Sequence, residues 1–201
     1  MNTTTSSRKL TLDDIADLRA YERERDSFRA RVIGMRKLRR VTLGPVITVS
    51  FENRETMRYQ IQEMIRVEKT MTDEGVQEEL NAYNPMVPEP GQLCATVFVE
   101  LTTEAQVREW LPRLAGLENA VSLRLPDGAV VTGRIDEAHA AGLTRPDVTA
   151  AVHYLVFDFS PDQVEAFRSG PVVLGCSLGA YPESTEVPAA VRDELLLDLL
   201  P

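Results

Sequence analysis

Three charged side chains, Arg25, Arg29 and Glu68, fall where a helical wheel expects core residues. At about 100° per residue, Met57, Ile61, Met64, Ile65, Val67 and Met71 form one apolar arc. Glu68 lies near the centre of that arc, with Gln60 just inside its edge. On the segment before it, Arg25 and Arg29 sit between Leu18 and Val32 on the apolar side. An ionised side chain is costly to bury unless it is paired. The sequence therefore predicts two packed helices in which Glu68 meets Arg25 or Arg29, because the planar guanidinium engages a carboxylate bidentately.

Two meanings of this constellation stay open. One is an ion pair that fixes helix register. The other is the pocket of an enzyme or of a small-ligand or anion-binding protein that also draws on Gln60, Tyr83, Asn84 and His153. Glu63 and Glu68 are about 140° apart on the helix and would not chelate one ion. A carboxylate metal site would have to recruit Glu52, Tyr83 or His153 from elsewhere, so no metal or cofactor is expected. His153 alternates onto the strand face of Leu155, Phe157 and Phe159, which suits a hydrogen-bonded core histidine, with a ligand or proton-transfer role as the alternative. Tyr59, Glu63 and Arg66 occupy the opposite, polar side of the second helix and, with Arg36, Arg39 and Arg40, form the candidate partner surface.

Other chemistries are excluded by their missing motifs. There is no G-x-x-x-x-G-K-[ST], G-x-G-x-x-G, H-E-x-x-H or EF-hand loop. Gly175-Cys176-Ser177-Leu178-Gly179 matches G-x-S-x-G by letter, but Pro182 follows closely and both histidines, His139 and His153, precede the serine, so no nucleophile elbow is expected. No residue is assigned a catalytic role, and binding is expected rather than catalysis. Cys94 and Cys176 are far apart and suggest neither a disulfide framework nor a thiolate metal site.

The net charge of −9 argues against nucleic acid, yet residues 19–40 hold nine basic side chains against three acidic ones. A solvated helix face or an acidic partner would account for that reversal. The polar start, Met1 to Lys9, lacks an apolar signal region, and no run of about 18 apolar residues occurs. A cytoplasmic protein without a membrane span is expected, with a disordered tail over 1–9 and one α+β domain over 10–201.

These residues must be positioned by helices and strands in a particular order. Thr11 and Asp14 form a capping box that opens a helix to about Arg39. In Val46 to Phe51 the odd positions are apolar and Thr48 and Ser50 are polar, which marks a strand. Asn53 caps a second helix to about Met71, and Asp73 caps a third that stops at Asn84-Pro85. A unit of strand, capped helix and strand then appears twice. Ala95 to Leu101 leads into the box Thr103-x-x-Gln106 and on to Val121–Leu125. Val152 to Phe159 leads into Ser160-Pro161-x-Gln163 and on to Val172–Leu178. Leu125-Pro126-Asp127-Gly128-Ala129 supplies a hairpin turn between the copies, and 138–149 reads as a loop. The result is an α+β fold: N-terminal helices packed on a mixed, largely antiparallel sheet. The leucine-rich helix Val187 to Leu200 packs on its own core or on a second copy in a homodimer.

Arg39-Arg-Val-Thr-Leu-Gly, the run from Phe51 to Glu68, Glu79-Leu-Asn-Ala-Tyr-Asn-Pro and Ala151-Val-His-Tyr-Leu resemble a bacterial domain-of-unknown-function family, from Arg8 to about Tyr181. The resemblance implies genes encoded beside a rubrerythrin and an iron–sulfur oxidoreductase related to heterodisulfide reductase subunits. It thereby implies a non-catalytic accessory role in a cytoplasmic redox or oxidative-stress system, with one of those proteins as partner. It supplies no catalytic residues.

Overall fold

Two successive caps, rather than one, set the start of the first helix. The Thr11–Asp14 box closes only the 3-10 turn Leu12–Asp14, because Ile15 is extended. The carboxylate of Asp17 then accepts from the Ala20 amide at 2.8 Å and starts helix α1, Leu18–Lys37. This computed structural model describes residues 7–135 and 149–201. The expected loop over 138–149 falls, apart from Thr149, outside the described residues, as does His139.

Asn53 caps helix α2, Arg54–Glu68, in a box with Thr56, and Lys69 ends it in the left-handed conformation. Helix α3, Asp73–Tyr83, is capped by the Thr72 hydroxyl instead of Asp73 and runs into the 3-10 turn Asn84–Met86, where Pro85 stops it. The capping boxes at Thr103 and Ser160 open α4, Glu104–Arg113, and α5, Pro161–Ser169. Helix α6, Ala189–Leu199, closes the order.

The strands are β1, Arg40–Leu43; β2, Ile47–Glu52; β3, Gln92–Val99; β4, Val121–Arg124; β5, Val130–Thr132; β6, Arg134–Ile135; β7, Val152–Asp158; β8, Val173–Cys176; and β9, Ser184–Glu186. They form an α+β fold with two sheets, ordered β1-β2-β3-β7-β6 and β5-β4-β8-β9. Every pairing among the described strands is antiparallel. Each of the two predicted units sends its first strand to one sheet and its second to the other. Thus β3 pairs with β7, and β4 pairs with β8. The hairpin turn between β4 and β5 is built as expected, with Gly128 at a positive φ and Asp127 accepting from the Ala129 amide.

Alternation gives each strand of the larger sheet two different faces. Ile47, Val49 and Phe51, with Ala95, Val97, Leu155 and Phe157, join residues of the smaller sheet in the main core. The even face carries Thr48, Ser50, Glu52 and Thr96, all buried despite their polarity. Helices α2 and α3 cover part of that face, where Met57, Ile61, Ile65 and Leu80 meet Cys94 and Val156. Val191, Leu195 and Leu199 of α6 pack into the main core, while Leu197 is exposed. Residues 7–9, expected in a loose tail, are tied down: Lys9 Nζ donates to the carbonyls of Asn84 and Val87, and Arg8 to those of Asp198 and Leu200. No helix among the described residues is long and apolar enough to cross a membrane.

Candidate functional site

The expected pairing of α1 with α2 exists, but with the other carboxylate. Arg25 donates through Nε and Nη2 to the two oxygens of Glu63, both at 2.7 Å, and the buried Tyr21 hydroxyl donates to Glu63 Oε1 at 2.6 Å. The Arg25 guanidinium holds the Glu63 carboxyl below its usual range, and burial together with this carboxylate raises the Tyr21 phenol. Arg29 and Glu68 are exposed and do not meet. The wheel failed because α2 ends at Glu68, so Met71 never joins the helical arc, and Val67 and Met71 are 68% and 85% exposed. The helix also has two packed sides. Met57, Ile61 and Ile65 face the sheet and α3, whereas Tyr59, Glu63 and Arg66 form the stripe that meets α1. Tyr59 packs edge-on against Phe28, and Arg66 pairs with Glu22 at 2.6 Å, so this stripe is not an open partner surface.

The basic run is divided just as unexpectedly. Arg39 is 1% exposed rather than on a partner surface. Its Nε donates to the Phe51 carbonyl at 3.1 Å and its Nη2 to the Glu52 carbonyl at 3.2 Å. Glu194 accepts from Nη1 at 3.1 Å, and Asp198 also accepts, so the guanidinium ties the end of β2 to α6. Arg40 is exposed and pairs with Glu100. Arg36, in the last turn of α1, leans over Glu52.

That meeting of Arg36 and Glu52 marks a cleft of about 340 Å³ between the polar sheet face and the helices. Glu52, Gln60, Thr96, Tyr83, Tyr154 and Arg36 supply its polar groups, and Met57, Phe98 and Val152 its apolar wall. The Glu52 side chain is 3% exposed. Thr96 Oγ1 donates to its Oε1 at 2.8 Å, fixing the carboxylate, while Oε2 lies 3.9 Å from Arg36 Nη2, beyond hydrogen-bond reach. Among the described residues four buried side-chain polar atoms lack a hydrogen-bond partner, and two of them, Glu52 Oε2 and Arg36 Nε, belong to residues that line this one cleft. A buried carboxylate left half satisfied costs stability, so Oε2 is an atom for which the fold supplies no hydrogen-bond donor. Burial and the neighbouring Tyr83 and Glu52 raise the Tyr154 phenol, keeping it a hydrogen-bond donor at neutral pH.

Of the residues singled out from the sequence, Gln60, Tyr83 and Arg36 come together here. The others do not. Asn84 instead clasps Leu10, accepting from its amide at 2.8 Å and donating to its carbonyl at 2.9 Å. His153 lies on the opposite face of β7, where Nε2 is 2.8 Å from Thr149 Oγ1 and 3.0 Å from the Ala150 carbonyl. Burial lowers its pKa below 6.5, against the pull of Glu118. The unfolded chain therefore takes up this proton first, and stability falls as pH drops below 6.5. An NMR titration of His153 should find a midpoint under that value; a midpoint at or above it would overturn the assignment. Ser177 Oγ donates to the Ala120 carbonyl at 3.4 Å and begins no helix, so the G-x-S-x-G letters are not an elbow.

Glu52 and Thr96 are the residues that sequence reasoning undervalued. Their signal was present: an even strand face of Thr48, Ser50 and Glu52, on a strand followed by two helices able to cover it. Among the described residues no three His, Cys, Asp or Glu side chains converge as a metal site.

An α+β protein with a half-satisfied carboxylate in a small polar cleft is the class that fold and site define. The family described as "Protein of unknown function (DUF3501)" matches residues 9–199, and the chain belongs to it. The match runs through α6, past the point at which the sequence resemblance was clear. A crystal structure described as a novel protein of unknown function from Burkholderia pseudomallei K96243 is 37% identical, with a TM-score of 0.87 over 95% of this chain and 99% of that one. No curated protein matches.

Proposed function

We propose that this chain is a small-ligand-binding protein whose site is the cleft between the larger sheet and α1–α3, with Glu52 as the anchoring residue. The observation that carries this reading is the fixed, buried carboxylate of Glu52, a residue of the cleft lining, whose Oε2 has no hydrogen-bond partner. The volume of about 340 Å³ sits at the small end of the roughly 300–1,000 Å³ typical of ligand pockets, and the lining has the usual mixture of a few polar groups on an apolar wall. An apolar groove of about 400 Å³ beside Leu12, Ile15, Ile65 and Met71 has no such buried, unpartnered group.

The accessory role beside a rubrerythrin or an iron–sulfur oxidoreductase rests on the family resemblance alone. The geometry favours the ligand pocket that the sequence held open, with Glu52 and Thr96 in place of Arg25, Arg29, Glu68, Asn84 and His153. Native mass spectrometry after exposure to a small-molecule extract of bacterial cells tests this. A bound adduct is expected on the wild type and on a Glu68→Ala control, and it should be lost from Glu52→Gln. An adduct equally retained by Glu52→Gln, or no adduct on the wild type, would overturn the reading.

A further inference from the structure

We propose that the cleft takes a zwitterion of the amino-acid type, with its ammonium on Glu52 Oε2 and its carboxylate on the Arg36 guanidinium. This inference rests on the reading of the cleft as a ligand site and names the class of ligand.

The two unpartnered atoms are opposite in sense: Glu52 Oε2 accepts and Arg36 Nε donates. The groups that carry them are opposite in charge and form only a long ion pair, Nη2 to Oε2 at 3.9 Å, with no hydrogen bond between them. A ligand that completes both must present a donor and an acceptor side by side. A net anion would meet the Glu52 carboxylate, which is buried and poorly screened, and a net cation would meet the Arg36 guanidinium, where solvent weakens the repulsion. A ligand that is neutral overall but carries both charges avoids both penalties. An α-amino acid does so with ammonium and carboxylate on one carbon, so the two groups reach neighbouring partners without strain. The guanidinium is suited to the carboxylate end because its planar fork matches that geometry. Thr96 holds Oε1, which leaves Oε2 as the fixed acceptor for the ammonium. Met57, Phe98 and Val152 then face the ligand's side chain, which selects an apolar one. A divalent cation fits poorly, because a hard cation wants several oxygen ligands and Glu52 is the one carboxylate in the lining.

The test is a calorimetric titration of the full chain with L-methionine and L-phenylalanine, each as the free amino acid, its N-acetyl derivative and its amide. The free form of at least one should bind ten-fold or more tighter than either derivative. In Glu52→Gln the preference over the N-acetyl form should collapse, and in Arg36→Met the preference over the amide. Equal binding of parent and derivatives, or unchanged preferences in both variants, overturns the proposal. Thermal melts report folding; if Glu52→Gln does not fold, Arg36→Met alone decides, because that side chain is partly exposed. If no form binds while the extract adduct still depends on Glu52, the ligand class is wrong and the site stands. If the extract adduct ignores Glu52 as well, both fail.

Discussion

Replacing Arg39 with methionine is expected to lower the unfolding free energy by about 3–5 kcal/mol, the range for removing one partner of a buried charge network. The guanidinium satisfies four groups at once: the carbonyls of Phe51 and Glu52, and the carboxylates of Glu194 and Asp198. Methionine fills the stem's volume but removes all four donations, and Asp198 is largely buried. Burial already raises the Asp198 carboxyl above its usual value of 3.8, against the pull of Arg39. Without Arg39 the folded value rises further. A folded-state pKa above the unfolded one means that the native chain keeps a proton the unfolded chain has released, so stability falls as pH rises through that interval. The deficit of Arg39→Met should therefore shrink when urea denaturation is repeated at lower pH, and Asp198→Asn on the same background should recover part of it. A loss below about 1 kcal/mol would show that water or rearrangement replaces the network. Because Arg39 also holds the Glu52 carbonyl, this variant should loosen the cleft as well as the C-terminal helix.

The second large effect separates the two glutamates of α2. Glu63→Ala should cost about 2–3 kcal/mol, chiefly because the fully buried Tyr21 hydroxyl loses its acceptor. The Arg25 pair adds less, since both partners are about one-fifth to one-quarter exposed and solvent screens them. Glu68→Ala should stay within about 0.5 kcal/mol, as for other exposed sites. The folded pKa of Glu63 is depressed, so its contribution is present above its usual value of 4.5 and is lost as pH falls through the lowered one. Chemical denaturation of both variants at neutral and acid pH checks this. Equal losses for the two would contradict the observed pairing.

The amino-acid sequence by itself determined the kinds of elements and most of their ends. The boxes at Asn53, Thr103 and Ser160, the Pro85 stop and the hairpin turn at Asp127-Gly128 are satisfied within three or four residues, so they are legible locally. Strand alternation likewise placed Ile47, Val49 and Phe51 on one face and Thr48 and Ser50 on the other. Tertiary structure decided what each face meets. The wheel could find a charged stripe on α2, but which stripe faces α1 depends on how the helix lies across the sheet. That choice made Glu63, rather than Glu68, the partner of Arg25. The burial of Arg39 has no local sign, because its partners Glu194 and Asp198 lie 155 and 159 residues away. The division of the strands into two sheets depends on where each β-α-β unit delivers its second strand, which no local signal states. The cleft arises in the same way. Glu52 reads in sequence as an ordinary strand-end carboxylate, and it becomes the proposed site only when Thr96, 44 residues on, fixes one oxygen and the last turn of α1 brings Arg36 above the other. Local hydrogen bonds set the elements; long-range desolvation decides which polar groups are left to bind something else.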